Sequence, residues 1–459
     1  MSDDERIRVN PNISEAKFFN ASSKNRDNFK KKFLKKATKK PNLNLSFDAF
    51  DLNDGRKNGL ERLKRTKERI IASNTEIELL MKQKTFDSEE WKLYRQKNRE
   101  NLLRIKLIET AHAIQNSPSR AKRLEFNHLN SQLYGTVDRK LFNRLVSTKK
   151  CIIQNFKPAD EIGKNYKSHL LKSMPFKLFY YPTFRTKEPS AVFSKIHELL
   201  LKNYPAIFEI LKDDEKVYDA EEAKLVLQQF IDSLSFDWQV IISDKVSIVT
   251  DSVTDHTLKL PKDFSRTGKE LKRLAIHEIG VHAARAVYGK RNGGPLLEYG
   301  TAKYLRAEEG LATLCECSVE ESFDNESYQR IVYRYLTAGL ALGVDGKKRN
   351  AVEVFNIIAP MIAIEKSKDG KITDGIINDA SDLAYRHIEN AFRGTDWITR
   401  GCVFLKLKIY YEGLLKNIEY FSKNLDHADD AFRLAMLGKY DHTDIKSCKD
   451  ALFLISIKK

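Results

Sequence analysis

No apolar run in this sequence approaches the roughly 18 residues that a membrane-crossing helix needs, and the opening residues MSDDERIRVN lack the zones of a secretory signal. The expectation is a cytoplasmic protein. Cysteines are few, five in 459 residues: Cys151, Cys315, Cys317, Cys402 and Cys448. An odd, scattered set argues against a disulfide framework. Cys315 and Cys317 form a C-x-C with no second pair to face it, so they read as small half-buried helix residues and not as zinc ligands. Aromatic residues are scarce where positive charge is densest: in KKKFLKKATKK, Lys30 to Lys40, Phe33 stands alone. No specific nucleic-acid recognition is therefore expected. Acidic residues are outnumbered, 63 against 80 Lys and Arg, for a formal charge of +17. That excess attracts acidic partners without choosing among nucleic acid, anionic lipid and protein segments.

The chain is long enough for two or three domain-sized pieces. Residues 1–55, rich in Lys, Asn, Asp and Ser without sustained periodicity, read as a disordered basic tail. A helical N-terminal region follows over 56–150, with apolar residues recurring at three and four and a break at NSPSR, Asn116 to Arg120. Prolines interrupt the pattern in YYPTFRTKEPS, Tyr180 to Ser190. Between Phe236 and Pro261 the segments WQVIIS, VSIVTDS and HTLKLP are short, β-branched and partly alternating, which predicts a small sheet. Thr267 then offers an N-cap, with Glu270 completing a capping box, and the helix it starts is expected to stop at Gly289. Ala307 to Ser318, about Tyr328 to Leu342, and most of Ala351 to Leu454 also read as helices. The fold class is α+β, mainly helical, with the small sheet beside the motif helix; residues 151–459 form the expected catalytic domain.

The helix after Thr267 carries LAIHEIGVHAARAVYG, Leu274 to Gly289, with two histidines five positions apart and a glutamate after the first. The zinc-peptidase spacing H-E-x-x-H places its histidines about 40° apart around an α-helix, whereas five residues give about 140°. A π-type turn of about 4.4 residues would bring them back to within about 50°, and Gly280 lies inside that turn, where the missing side chain eases distortion. HEIGVH then offers His277 and His282 as neutral ligands and Glu278 as general base for one Zn2+ per chain. A third ligand is sought in RAEEGLATLCE, about 30 residues on, where Glu308 and Glu309 form a carboxylate pair that is costly to bury unless something positive meets it. His112, His197, His387, His427 and His442 read as structural or surface residues.

HEIGVHAAR followed by GGPLLEYGTAKYLRAEEGLA resembles the microtubule-associated tyrosine carboxypeptidase family, whose microbial relatives carry a QEGLA motif in the second position. The resemblance continues in YRHIENAFRGT (Tyr385 to Thr395), VFLKLKIYYEGL (Val403 to Leu414) and LGKYDHTDI near Leu437, and covers roughly Phe236 to Ile445. It implies a gluzincin-like metallopeptidase domain with zinc on His277, His282 and Glu309, since Gln often stands where this chain has Glu308, and Glu308 behind them. Leu407 departs from the family pattern, which has Asp after Lys406. The implied activity is removal of a C-terminal residue such as tyrosine from an acidic protein tail such as that of tubulin. A fixed cation would pair with the terminal carboxylate; Arg285, Arg393 and Lys406 are candidates because each stands in a matched motif. The β segments would line the cleft with an edge strand that an extended peptide could join. The alternative reading is a basic, non-catalytic protein that docks on microtubules, nucleic acid or anionic membrane.

Overall fold

The computed structural model describes residues 45–47, 50–52, 64, 67–68, 71–72, 88–174, 188–244, 246, 249–320 and 325–458. The Lys-rich stretch 30–40, most of the expected helical run over 59–87 and most of YYPTFRTKEPS lie outside the described residues. So does most of the expected disordered tail, apart from a short antiparallel ladder that pairs Leu45–Phe47 with Phe50–Leu52. The described chain is mainly helical with small sheets. No helix among the described residues is long and apolar enough to cross a membrane.

The chain divides into two compact units, the first of Met1–Arg56, Arg104–Phe184 and Arg330–Lys408, the second of Lys57–Leu103, Arg185–Gln329 and Ile409–Lys459. The first unit is a helical assembly in which polar caps define the ends. Ser119, Asp138 and Asp160 cap Arg120–Tyr134, Arg139–Asn155 and Glu161–Ser173, and Asn350 forms a capping box with Glu353 at the start of Ala351–Lys366. Ala351–Lys366 buries Val354, Phe355, Ile358 and Met361, so it forms the apolar centre. Lys149, buried against Glu365 at 2.7 Å with the Tyr333 hydroxyl also donating to that carboxylate, is paired as a buried charge must be.

The second unit holds the remaining strands. Gln239–Ser243 runs parallel to Thr257–Pro261, which pairs antiparallel with Thr250–Ser252 on its other side, so Thr250–Ser252 is an edge strand. A separate ladder joins Val217–Asp219 to Ser265–Thr267, and this second strand runs into the motif helix. Thr267 caps that helix and Glu270 closes the capping box as the spacing predicts. The helix does not end at Gly289; it continues to Gly293 and stops at Gly294, whose φ of 75° suits glycine. Gly289 serves another purpose, because a Cβ there would lie 2.0 Å from Leu297 O. Cys315 and Cys317 are fully buried rather than half-buried, and all five cysteines are free thiols.

Two buried histidines of the first unit tie its stability to pH. Burial pushes the His169 pKa down to about 4 despite the hydrogen bond of Nε2 with Asn356 O, and burial together with Arg334, Arg330 and Arg386 pushes His387 down to about 3. An unfolded imidazole takes its proton near pH 6.5, well before either folded one does, so acid favours the unfolded chain by about 1.4 kcal/mol per site and pH unit below 6.5. The melting temperature should fall steadily from pH 6.5 to pH 4, and His387→Gln should flatten that slope in a thermal-shift series; an unchanged slope would remove His387 as a cause.

Candidate metal centre

The centre lies within the second unit and begins with the winding of one helix. Between α-helical Gly268–Ala275 and Ala284–Gly293, the residues Ile276–Ala283 form a π-helical segment, so the expected relaxed turn is present where the two histidines stand. Their rings come together with centroids 4.9 Å apart. Gly280 has no left-handed φ, and a Cβ there would meet the Tyr204 ring at 3.4 Å, an ordinary contact, so neither demands glycine at this position. Tyr204, buried, donates its hydroxyl to Gly280 O at 2.5 Å.

The second half of the centre arrives on Leu305–Cys317. Glycine matters here. A Cβ at Gly310 would lie 2.1 Å from the Gly413 carbonyl carbon, and one at Gly413 would lie 2.1 Å from Arg306 O. Backbone therefore meets backbone between this helix and Lys408–Ser422, and Asn417 Nδ2 bridges them by donating to Ala307 O at 3.2 Å. The glycines of EEGLA and of YYEGL thus have one shared steric reason.

This approach places ligand atoms of His277, His282 and Glu309 within 4.8 Å of one another. Glu309 Oε2 is 3.9 Å from His277 Nε2 and 3.7 Å from His282 Nε2. Both distances exceed a hydrogen bond and lie near the roughly 3.4 Å that separates two ligands held about 2.1 Å from one tetrahedral ion. Each imidazole turns its other nitrogen to a carboxylate: His282 Nδ1 lies 3.0 Å from Glu308 Oε1, and His277 Nδ1 lies 3.1 Å from Glu316 Oε2. An Nδ1–H donated in this way leaves the Nε2 lone pair facing Glu309, the tautomer that metal binding requires. Ser327 Oγ in turn donates to Glu316 Oε1 at 3.2 Å.

Charge around the centre is heavily arranged. Glu308 is buried, with Arg285 Nη1 at 2.5 Å and Lys439 Nζ at 3.1 Å. Burial alone would raise its pKa, but Lys439, Arg285 and His282 overcome that and hold the carboxyl well below the usual range. Burial opposes a charged His282, yet the hydrogen bond and charge of Glu308, with Glu309 and Glu278 beyond, lift its pKa to about 9. The carboxylates collectively favour positive charge between them, which a divalent cation satisfies. Glu278 is half-buried, and desolvation raises its pKa against the pull of His277 and His282; Asp251, on the edge strand, adds to the rise.

Arg285, expected to reach substrate, is fully buried and holds the protein's own Glu308 and Tyr440 O instead. Arg393 and Lys406 belong to the first unit, where Arg393 Nη2 donates to Asn390 Oδ1. Sequence reasoning missed Glu316, Lys439 and Tyr204. Glu316 follows Glu309 by two helical turns on one face, a readable signal; Lys439 stands inside LGKYDHTDI; nothing marks Tyr204. A second His-acid group at His256 engages Asp237 through Nδ1 and Glu298 through Nε2, so it points its nitrogens at two partners and not at one shared ion.

Residues 192–369 match the family model described as microtubule-associated tyrosine carboxypeptidase. The matched span contains His277, Glu278, His282, Glu308, Glu309 and Glu316. No curated protein matches the chain.

Metal analysis of the purified protein should find about one zinc per chain, and His277→Ala with His282→Ala should find none. Glu316→Gln should weaken zinc binding by roughly 10–100-fold in a chelator competition, the range for partners that orient a ligand; wild-type affinity in that variant would show that Glu316 does not orient His277.

Proposed function

We propose that this chain is a zinc-dependent metallocarboxypeptidase that removes a C-terminal residue such as tyrosine from an acidic protein tail, such as that of tubulin. The observation that carries this reading is the convergence of His277, His282 and Glu309, with Glu278 directly after the first histidine in the same π-wound turn. Two imidazoles and a carboxylate are a hydrolytic zinc donor set, and three protein ligands leave a coordination position for chemistry. Among the described residues the group holds three such donors. The match of residues 192–369 to the family model supports the carboxypeptidase class and the tubulin-like substrate.

Zinc held there would supply Lewis acidity to the scissile carbonyl and the attacking water. Glu278 takes the proton of that water and passes it to the leaving amine. Glu308 and Glu316 keep the imidazoles in the orientation and tautomer that face the ion. The edge strand Thr250–Ser252 packs against the π-wound turn, where an extended substrate can add main-chain hydrogen bonds. Arg285 is committed to Glu308 and is not available to a terminal carboxylate. The formal charge of +17 draws an acidic tail toward the protein.

That same charge also favours a second reading, a basic docking protein without catalysis. Metal content and turnover separate the two. Glu278→Gln should retain its zinc and lose hydrolysis of a peptide with an acidic, tyrosine-ended tail by at least about 100-fold, the scale of a lost general base. Turnover at the wild-type rate would exclude the role assigned to Glu278, and wild-type protein that holds no metal and releases no terminal residue would favour docking.

A further inference from the structure

A helix that changes from α to π winding and back must pass over an acceptor, and at this centre the acceptor is identifiable. The Ala284 amide donates to Ile279 O, five residues back, and to Val281 O, three back. It passes over Gly280 O, four back, which would be its partner in an α-helix. A buried carbonyl that loses its helical donor needs another or costs free energy. The Tyr204 hydroxyl donates to that same oxygen at 2.5 Å.

We infer that Tyr204 is the positioning residue that holds the π-wound turn open, and through it the convergence of His277 and His282. The inference rests on the metal-centre reading for its consequence, though not for its geometry. Tyr204 comes from outside the motif helix, at the end of helix Glu188–Asn203 and the start of Pro205–Ile210. Its ring is fixed edge-to-face on Phe230, centroids 6.0 Å apart, and touches the position of Gly280. Burial raises the phenol pKa well above its usual value, so the hydroxyl keeps the proton it donates at any working pH. The amide–carbonyl pairing of an ordinary α-helix competes with this bond: without the phenol, the donor that α-helical winding offers Gly280 O is the Ala284 amide. Restoring that pairing rewinds the turn and carries the histidines toward the separation of about 140° that five α-helical residues impose.

Tyr204→Phe tests this, because it keeps the ring and its packing and deletes the one bond. Zinc affinity by chelator competition should fall by about 10–100-fold, as for other residues that orient a ligand, and the visible spectrum of the cobalt-substituted protein should change. Tyr420→Phe serves as the control; it removes a tyrosine–carbonyl bond to Ala431 O in the same unit and should lower the melting temperature without moving affinity or spectrum. In metal-free protein, the carbonyl carbon shift of Gly280 and amide exchange at Ala284 should differ between wild type and Tyr204→Phe. Unchanged affinity, spectrum and carbonyl shift in Tyr204→Phe would overturn the inference. If wild-type protein binds no metal while the Gly280 shift still responds, the metal reading fails and the role of Tyr204 in holding the turn stands.

Discussion

Two histidines five residues apart cannot share an ion on an α-helix, and the second unit is organised around that mismatch. One segment of the motif helix is wound more loosely, which turns His277 and His282 to the same side. Everything else in the centre is measured from there. Leu305–Cys317 must approach closely enough for Glu309 to face both Nε2 atoms, and facing glycines at 310 and 413 permit that approach.

Electrostatics completes what winding begins. Glu308 would be expensive to bury as a lone carboxylate, and Arg285 and Lys439 neutralise it while it holds His282 in place. An arginine in a matched motif invites a role in binding substrate; here its surroundings assign it to the protein's own acid. The distinction lies in burial and partner, neither of which is visible from residue order alone.

The parts legible in the sequence were those that depend on local spacing. The capping box at Thr267 and Glu270, the strands near Gln239, Thr250 and Thr257, and the need for a π-type turn all follow from intervals of a few residues, and each is present in the fold. The motif helix runs past Gly289 because that glycine answers to Leu297 O, a contact made after the chain has turned back. At Gly280 neither the backbone conformation nor the space for a Cβ demands glycine. The commitment of Arg285 to Glu308 is illegible for the same reason: it depends on which distant segments meet.

Lys439 and the Tyr440 carbonyl have a bearing on how the protein is made. They belong to the segment Ile409–Lys459, which comes off the ribosome well after both histidines and Glu309. A nascent chain that has reached residue 320 owns every candidate ligand, yet its Glu308 has only one of its two counter-charges and Arg285 lacks its carbonyl. Charge balance at Glu308 therefore waits for the segment that carries Lys439, long after the motif helix has been made.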